Sequence, residues 1–173
     1  MNTQVAIMMG SDSDLPVMQS AAKVLEDLGV GSEIHVLSAH RTPQATVEFV
    51  KDAEAKGIKV FICSAGMSAH LAGVVAAHTA LPVIGVPMGK SAAGIDALFS
   101  TVQMPPGVPV ATVAIDGGKN AGILAAQIIG AGDPNILQNV KMFKEKMTNE
   151  IQVKDTELQE KGFKRYLEEK GLI

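Results

Sequence analysis

A chain of 173 residues has room for one domain with a proper core. Its formal charge of -3 and 3% aromatic content leave no basic footprint and little to stack bases on, which argues against nucleic acid as a partner. Hydrophobic residues make up 47% of it, yet no apolar stretch is long enough to span a bilayer and the N-terminus lacks a basic-then-apolar signal pattern. The single cysteine, Cys63, excludes an internal disulfide, so the cytoplasm is the expected compartment and no membrane the expected setting.

Gln4 to Met9 is a short apolar run ending at Gly10, as a buried strand does. After Gly10-Ser11-Asp12-Ser13-Asp14, the residues Val17, Ala21, Val24, Leu25 and Leu28 keep helical spacing until Gly29. Ser32 to Leu37 reads as a second strand and Pro43 to Lys56 as a second helix. Lys59 to Cys63 is a third strand, followed by the loop Ser64 to His70 and a small-residue helix over Ala69 to Ala77. Pro82 to Val86 is a fourth strand, Ile95 to Val102 a short helix, and Val110 to Ile115 a fifth strand. A Gly- and Ala-rich helix runs from Asn120 to about Ala131. From Pro134 the chain turns charged and helical, with Leu137, Val140, Phe143 and Met147 spaced as one apolar stripe over one or two helices. The expectation is a single domain, 1–173, with its core over about 4–133 and a helical extension over about 134–173.

Strand and helix alternate five times, the strands are almost wholly apolar and the connections are short. That pattern predicts a three-layer αβα fold around a parallel five-stranded sheet. With right-handed crossovers, five strands favour the flavodoxin-like order 2-1-3-4-5, whose crevice opens above the carboxyl ends of strands 1 to 3. Three loops meet there: Gly10–Asp14, Ser38–Arg41 and Ser64–His70. They are also the loops richest in hydroxyl, carboxylate, imidazole and guanidinium groups.

Within them, His40 can give and take a proton near neutral pH, and Arg41 offers a planar fork for phosphate or carboxylate. Thr42 is expected as N-cap with Pro43 at the first helical position, leaving backbone N–H groups facing the same place. Gly10 permits close backbone approach. Ser11 and Ser13 stand where a helix N-terminus holds a phosphate, and Asp14 suits a ribose diol, or Ser13 or Asp14 simply caps the helix. His70 lines the third loop as a site residue or as a structural histidine. His35 in mid-strand and His78 at a helix end read as structural, and Cys63 as a buried strand residue. No His, Cys, Asp or Glu spacing matches a metal motif, so neither metal nor cofactor is implied. The helices at 69–77 and 120–131 are small and apolar almost all round, which suggests covering by other subunits. The stretch Gly85 to Pro109, including Lys90-Ser91-Ala92-Ala93-Gly94, is read as a source of loops for such contacts.

Met9-Gly10-Ser11-Asp12-Ser13-Asp14, Ser38-Ala39-His40-Arg41-Thr42-Pro43, Ala65-Gly66-Met67-Ser68-Ala69-His70-Leu71 and Val102-Gln103-Met104-Pro105 together resemble the PurE family of purine biosynthesis. The likeness spans about residues 4 to 140. Arg41, in place of Lys, and the Ala-His-Leu loop resemble the bacterial mutase class, which converts N5-carboxyaminoimidazole ribonucleotide (N5-CAIR) to 4-carboxyaminoimidazole ribonucleotide (CAIR). The other class carboxylates aminoimidazole ribonucleotide (AIR) with free carbon dioxide. The resemblance implies that Ser11, Ser13 and Arg41 grip the phosphate and Asp14 the ribose. It implies that Ser38, Ala65 and Gly66 face the aminoimidazole, that His70 and Leu71 complete the pocket, and that His40 carries the proton. It further implies a ribonucleotide and carbon dioxide as partners and a homo-octamer. Ala72 departs from a proline common in the family, the Gly117–Asn120 loop is short, and the charged tail beyond Glu150 is long. A non-catalytic nucleotide-binding module on the same fold is the rival from another class, since fold does not fix function.

Overall fold

The structure, a computed structural model, describes residues 2–173. Its elements in chain order are β1 (Thr3–Met9), α1 (Leu15–Asp27), β2 (Gly31–Val36), α2 (Pro43–Ala55), β3 (Val60–Gly66) and α3 (Leu71–Ala76). There follow β4 (Val83–Met88), α4 (Ile95–Val102), β5 (Ala111–Thr112), α5 (Gly118–Gly130), α6 (Pro134–Lys161) and α7 (Phe163–Glu169). Short 3-10 turns at Asp12–Asp14 and Ala92–Gly94 lead into α1 and α4.

All strand pairs are parallel and the order is β2-β1-β3-β4-β5, as the alternation predicts. Residues alternate across a strand, so β1 feeds two cores. Val5, Ile7 and Met9 pack with α1 and α5, while Ala6 and Met8 pack with α2 and α3 on the other face. Burial on both faces explains why β1, β3 and β4 read as continuous apolar runs. The edge strand β2 has only one neighbour and leaves Ile34 and Val36 exposed.

Two strands differ from expectation. β3 runs on to Gly66, so Ser64, Ala65 and Gly66 are strand residues rather than loop; their partners are Val86, Pro87 and Met88 of β4. β5 shrinks from the expected six residues to Ala111–Thr112. Beyond it, Val113 and Asp116 donate to the carbonyls of Gly85 and Pro87 at 3.1 and 2.9 Å. The edge therefore still lies along β4, without a continuous ladder.

The small residues of α5 have a cause within the chain. A Cβ on Gly118 or Gly122 would stand 2.6 or 2.7 Å from the carbonyl oxygens of Val17 and Ala21 of α1. The glycines let two helix backbones approach, and α6 covers another side of α5. The composition of α5 thus reflects packing on α1 and α6, and it carries no argument for a subunit contact. Asp133 caps α6, accepting from the N–H groups of Asn135 and Ile136 at 2.9 and 3.3 Å, with Pro134 in the first turn. The inward line of α6 is Ile136, Val140 and Phe143; Leu137 and Met147 of the expected stripe are exposed.

Candidate active site

A cavity of about 460 Å³ opens above the carboxyl ends of β1, β2, β3 and β4. Ser11, Ser13, Asp14, Ser38, His40, Arg41, Ala65, Gly66, His70 and Leu71 all line it, so every site residue expected from the sequence faces one space.

The β1 loop is built by Ser11, whose Oγ accepts from the Ser13 N–H at 3.3 Å and caps the 3-10 turn. Its hydroxyl also lies 2.8 Å from that of Ser13. Asp14 caps nothing through its side chain. Its carboxylate turns inward, only 3% exposed, and accepts from Ser64 Oγ at 3.0 Å. A carboxylate buried this deeply needs partners, and Ser64 on β3 is one of them.

The β2 loop is closed by Thr42, but not as a helix cap. Its Oγ1 accepts from the Ser38 N–H at 2.9 Å and donates to the Ser38 carbonyl at 3.1 Å, and its N–H donates to the same carbonyl at 2.8 Å. The expected cap is therefore absent, because the hydroxyl is committed to pinching the loop between Ser38 and Thr42. This pinch presents His40, with an exposed imidazole, and Arg41. Ser38 Oγ accepts from the Arg41 N–H at 3.2 Å and from its Nε at 3.4 Å. Arg41 Nη2 donates to the carbonyl of Gly10 and so ties the β2 loop to the β1 loop. The guanidinium is thereby held at the loop that carries Ser11 and Ser13.

On the third side Ala65 and Gly66 end β3, and Met67 turns the chain with φ of 57°. His70 precedes α3 with its ring across Gly73, and its Nδ1 is buried without a partner among the described residues. Such an atom costs stability unless something bonds it. Away from the cavity, the His35 ring packs on Phe49 with centroids 4.2 Å apart, a structural role. Cys63 is buried in β3, and burial pushes its thiol far above the usual range.

Lys90 and Ser91 lie in the stretch expected from the sequence to supply subunit contacts. Both line the cavity, and Lys90 Nζ touches Ser13 Oγ and Asp14 Oδ1. The available signal was positional: Lys90 follows the carboxyl end of β4, which neighbours β3 in the expected order.

A doubly wound sheet with proton-transfer, anion-binding and carboxylate groups at its carboxyl edge defines an α/β protein with a small-molecule site there. The family model described as AIR carboxylase matches residues 4–150, and the chain belongs to that family. It is 55% identical over 168 residues to an N5-carboxyaminoimidazole ribonucleotide mutase of Thermotoga maritima, covering 96% of this chain and 98% of that one. A mutase of the same name from Pyrococcus horikoshii is 51% identical over 95% of this chain and 94% of its own. A phosphoribosylaminoimidazole carboxylase of Saccharomyces cerevisiae is 50% identical over 96% of this chain, which spans 29% of that longer protein. Among solved structures, a variant of Treponema denticola PurE2 superposes with a TM-score of 0.84 at 34% identity, covering 91% of this chain and 99% of that one.

Proposed function

We propose that this chain is an N5-carboxyaminoimidazole ribonucleotide mutase of purine biosynthesis, an isomerase that moves a carboxylate from an exocyclic nitrogen to the adjacent ring carbon. One observation carries the reading in geometric terms. A single cavity gathers the paired Ser11 and Ser13 hydroxyls, the tethered Arg41, the inward Asp14 and the imidazole of His40. A 5′-ribonucleotide needs that set: donors for its phosphate, an acceptor for its ribose and a group that moves a proton. High identity to named mutases over nearly the whole chain agrees with it.

The chemistry follows from the substrate. Protonated His40 gives its proton to the exocyclic nitrogen while the nitrogen–carboxyl bond breaks, releasing carbon dioxide beside an electron-rich aminoimidazole. The neighbouring ring carbon then attacks the trapped carbon dioxide, forming the new carbon–carbon bond. His40 takes the hydrogen from that carbon as a proton, which restores the aromatic ring and the acid. Nothing is consumed. Holding the gas against its acceptor replaces a bimolecular encounter. In this reading Ser11, Ser13 and Arg41 bind the phosphate, Asp14 the ribose, and Ser38, Ala65, Gly66, His70 and Leu71 shape the base end. We further read residues 1–173 as one unit acting in the cytoplasm as a homo-octamer. Among the described residues no helix is long and apolar enough to cross a membrane.

A paired assay tests the proposal. One arm supplies N5-CAIR without bicarbonate, the other AIR with bicarbonate. Rapid CAIR formation in the first arm, lowered about two to four orders of magnitude in His40→Asn with ligand binding retained, is the expected result. Product mainly in the second arm would make the protein a carboxylase, and silence in both would leave a binding module.

A further inference from the structure

The cavity contains an electrostatic conflict. If Ser11, Ser13 and Arg41 receive a phosphate dianion, the buried carboxylate of Asp14 sits one residue from Ser13 and repels it. At short range and away from bulk water such repulsion is large. Arg41 and Lys90 are the one arginine and the one lysine of the cavity lining. Arg41 enters from the loop after β2, and Lys90 from the loop after β4. Lys90 is also the group that touches both parties, through Ser13 Oγ and Asp14 Oδ1.

The chain is shaped to keep it there. The Lys90 stem crosses Gly66, with Cδ 3.8 Å and Cβ 4.0 Å from the position of a Cβ at that residue. Gly89 donates its N–H to Asp116 Oδ1 at 2.9 Å, and Ser91 Oγ donates to Asp96 Oδ2, so both sides of Lys90 are anchored. The next three residues, Ala92, Ala93 and Gly94, have φ of 41°, 53° and 80°. Two alanines in the left-handed region are strained, and strain of this kind persists where the surroundings hold a segment in place.

We infer that Lys90 is a second cation of the phosphate subsite, placed between phosphate and Asp14 so that one pocket can hold an anion beside a carboxylate that binds ribose. Its ammonium bonds a phosphate oxygen from the side opposite the β2 loop and screens Asp14. Asp14 Oδ2 stays with Ser64, and Oδ1, bonded by Lys90, also accepts from a ribose hydroxyl. The inference rests on the ribonucleotide reading above and adds a specificity-determining residue to it.

The test compares wild type, Lys90→Met and Lys90→Arg by steady-state kinetics, with calorimetric binding of CAIR and of the same nucleoside lacking its phosphate. The expected result is a KM about tenfold or more higher in Lys90→Met, with kcat lowered far less and Lys90→Arg restoring most of the loss. Binding of the unphosphorylated nucleoside should change little, and the CAIR defect should shrink as salt rises. If Lys90→Met does not fold, Lys90→Gln keeps a donor for Ser13 and Asp14 without the charge and takes its place. An unchanged KM, or equal losses for nucleotide and nucleoside, would overturn the inference while leaving the mutase reading intact. A wild type inert toward the ribonucleotide would overturn that reading and the inference with it.

Discussion

The imidazole of His70 lies across Gly73, in the volume that a Cβ at residue 73 would occupy. Residue 73 is inside α3, where glycine is ordinarily worse than alanine by about 1 kcal/mol. The glycine is therefore there for the ring, and its effect on stability should depend on that ring. With His70 present, Gly73→Ala is expected to destabilise by about 1–3 kcal/mol through overpacking and to impair turnover by displacing a cavity wall. In a His70→Ala background the same change should stabilise, by up to about 1 kcal/mol. Urea unfolding of the four proteins of this cycle reads the change of sign. A Gly73→Ala effect of equal size in both backgrounds would mean the two residues are uncoupled.

Ser64 and Asp14 are fifty positions apart and share a 3.0 Å hydrogen bond inside the fold. Ser64→Ala leaves a carboxylate oxygen without its donor at a place water reaches poorly. Hydrogen bonds to charged groups contribute about 1.5–3 kcal/mol, so a loss of that order is expected in urea unfolding. Because Asp14 also faces the cavity, the KM for the ribonucleotide should rise as well. Unchanged stability would show that Lys90 alone satisfies the carboxylate.

The sheet order and the identity of the cavity were legible because both follow from alternation. Apolar strands separated by helices admit few topologies, and those place the three polar loops together. What escaped was side-chain direction. Thr42 before Pro43 has the composition of a cap, yet its hydroxyl bonds back to Ser38, a choice settled by loop closure. Ser64 and Gly66 look like loop residues by composition, and only pairing with β4 makes them strand. Lys90 was hidden because a lysine after a strand is ordinary surface. Its meaning depends on the inward turn of Asp14, which no local pattern encodes.

Cys63 shows how completely the sheet is covered. It is 1% exposed, and burial holds its thiol far above the usual range, so the thiolate that attacks disulfide reagents is scarce. The native protein should therefore resist a thiol-specific disulfide reagent at neutral pH. On unfolding in urea it should release one equivalent per chain, matching its single cysteine. Prompt labelling of the folded protein would mean that β3 opens locally between α2 and α3.

Two ion pairs link the C-terminal helices, Lys161 with Glu169 and Lys170 with Glu157, and acid should part them before it unfolds the sheet. Hydrogen bonds from Lys161 and Arg165, at 2.8 and 2.7 Å, hold the Glu169 carboxyl at about 2 instead of its ordinary 4.5. Lys170, 2.7 Å from Glu157, holds that carboxyl low as well. Folded values below unfolded ones mean that these contacts stabilise fully above about pH 4.5 and are lost as the pH falls below it, those of Glu169 toward about 2. Tyr166 is the chain's single tyrosine and there is no tryptophan, so intrinsic fluorescence reports α7 alone. Lys170 Nζ lies 5.5 Å from the centre of that ring. Titration should change the Tyr166 signal in this window while far-UV circular dichroism keeps most of its amplitude. The partners lie at the surface, so about 1 M salt, with a Debye length near 3 Å, should produce part of the same change at neutral pH. A tyrosine signal that moves only together with the loss of the sheet would show that apolar packing, and not these ion pairs, holds α7 to α6.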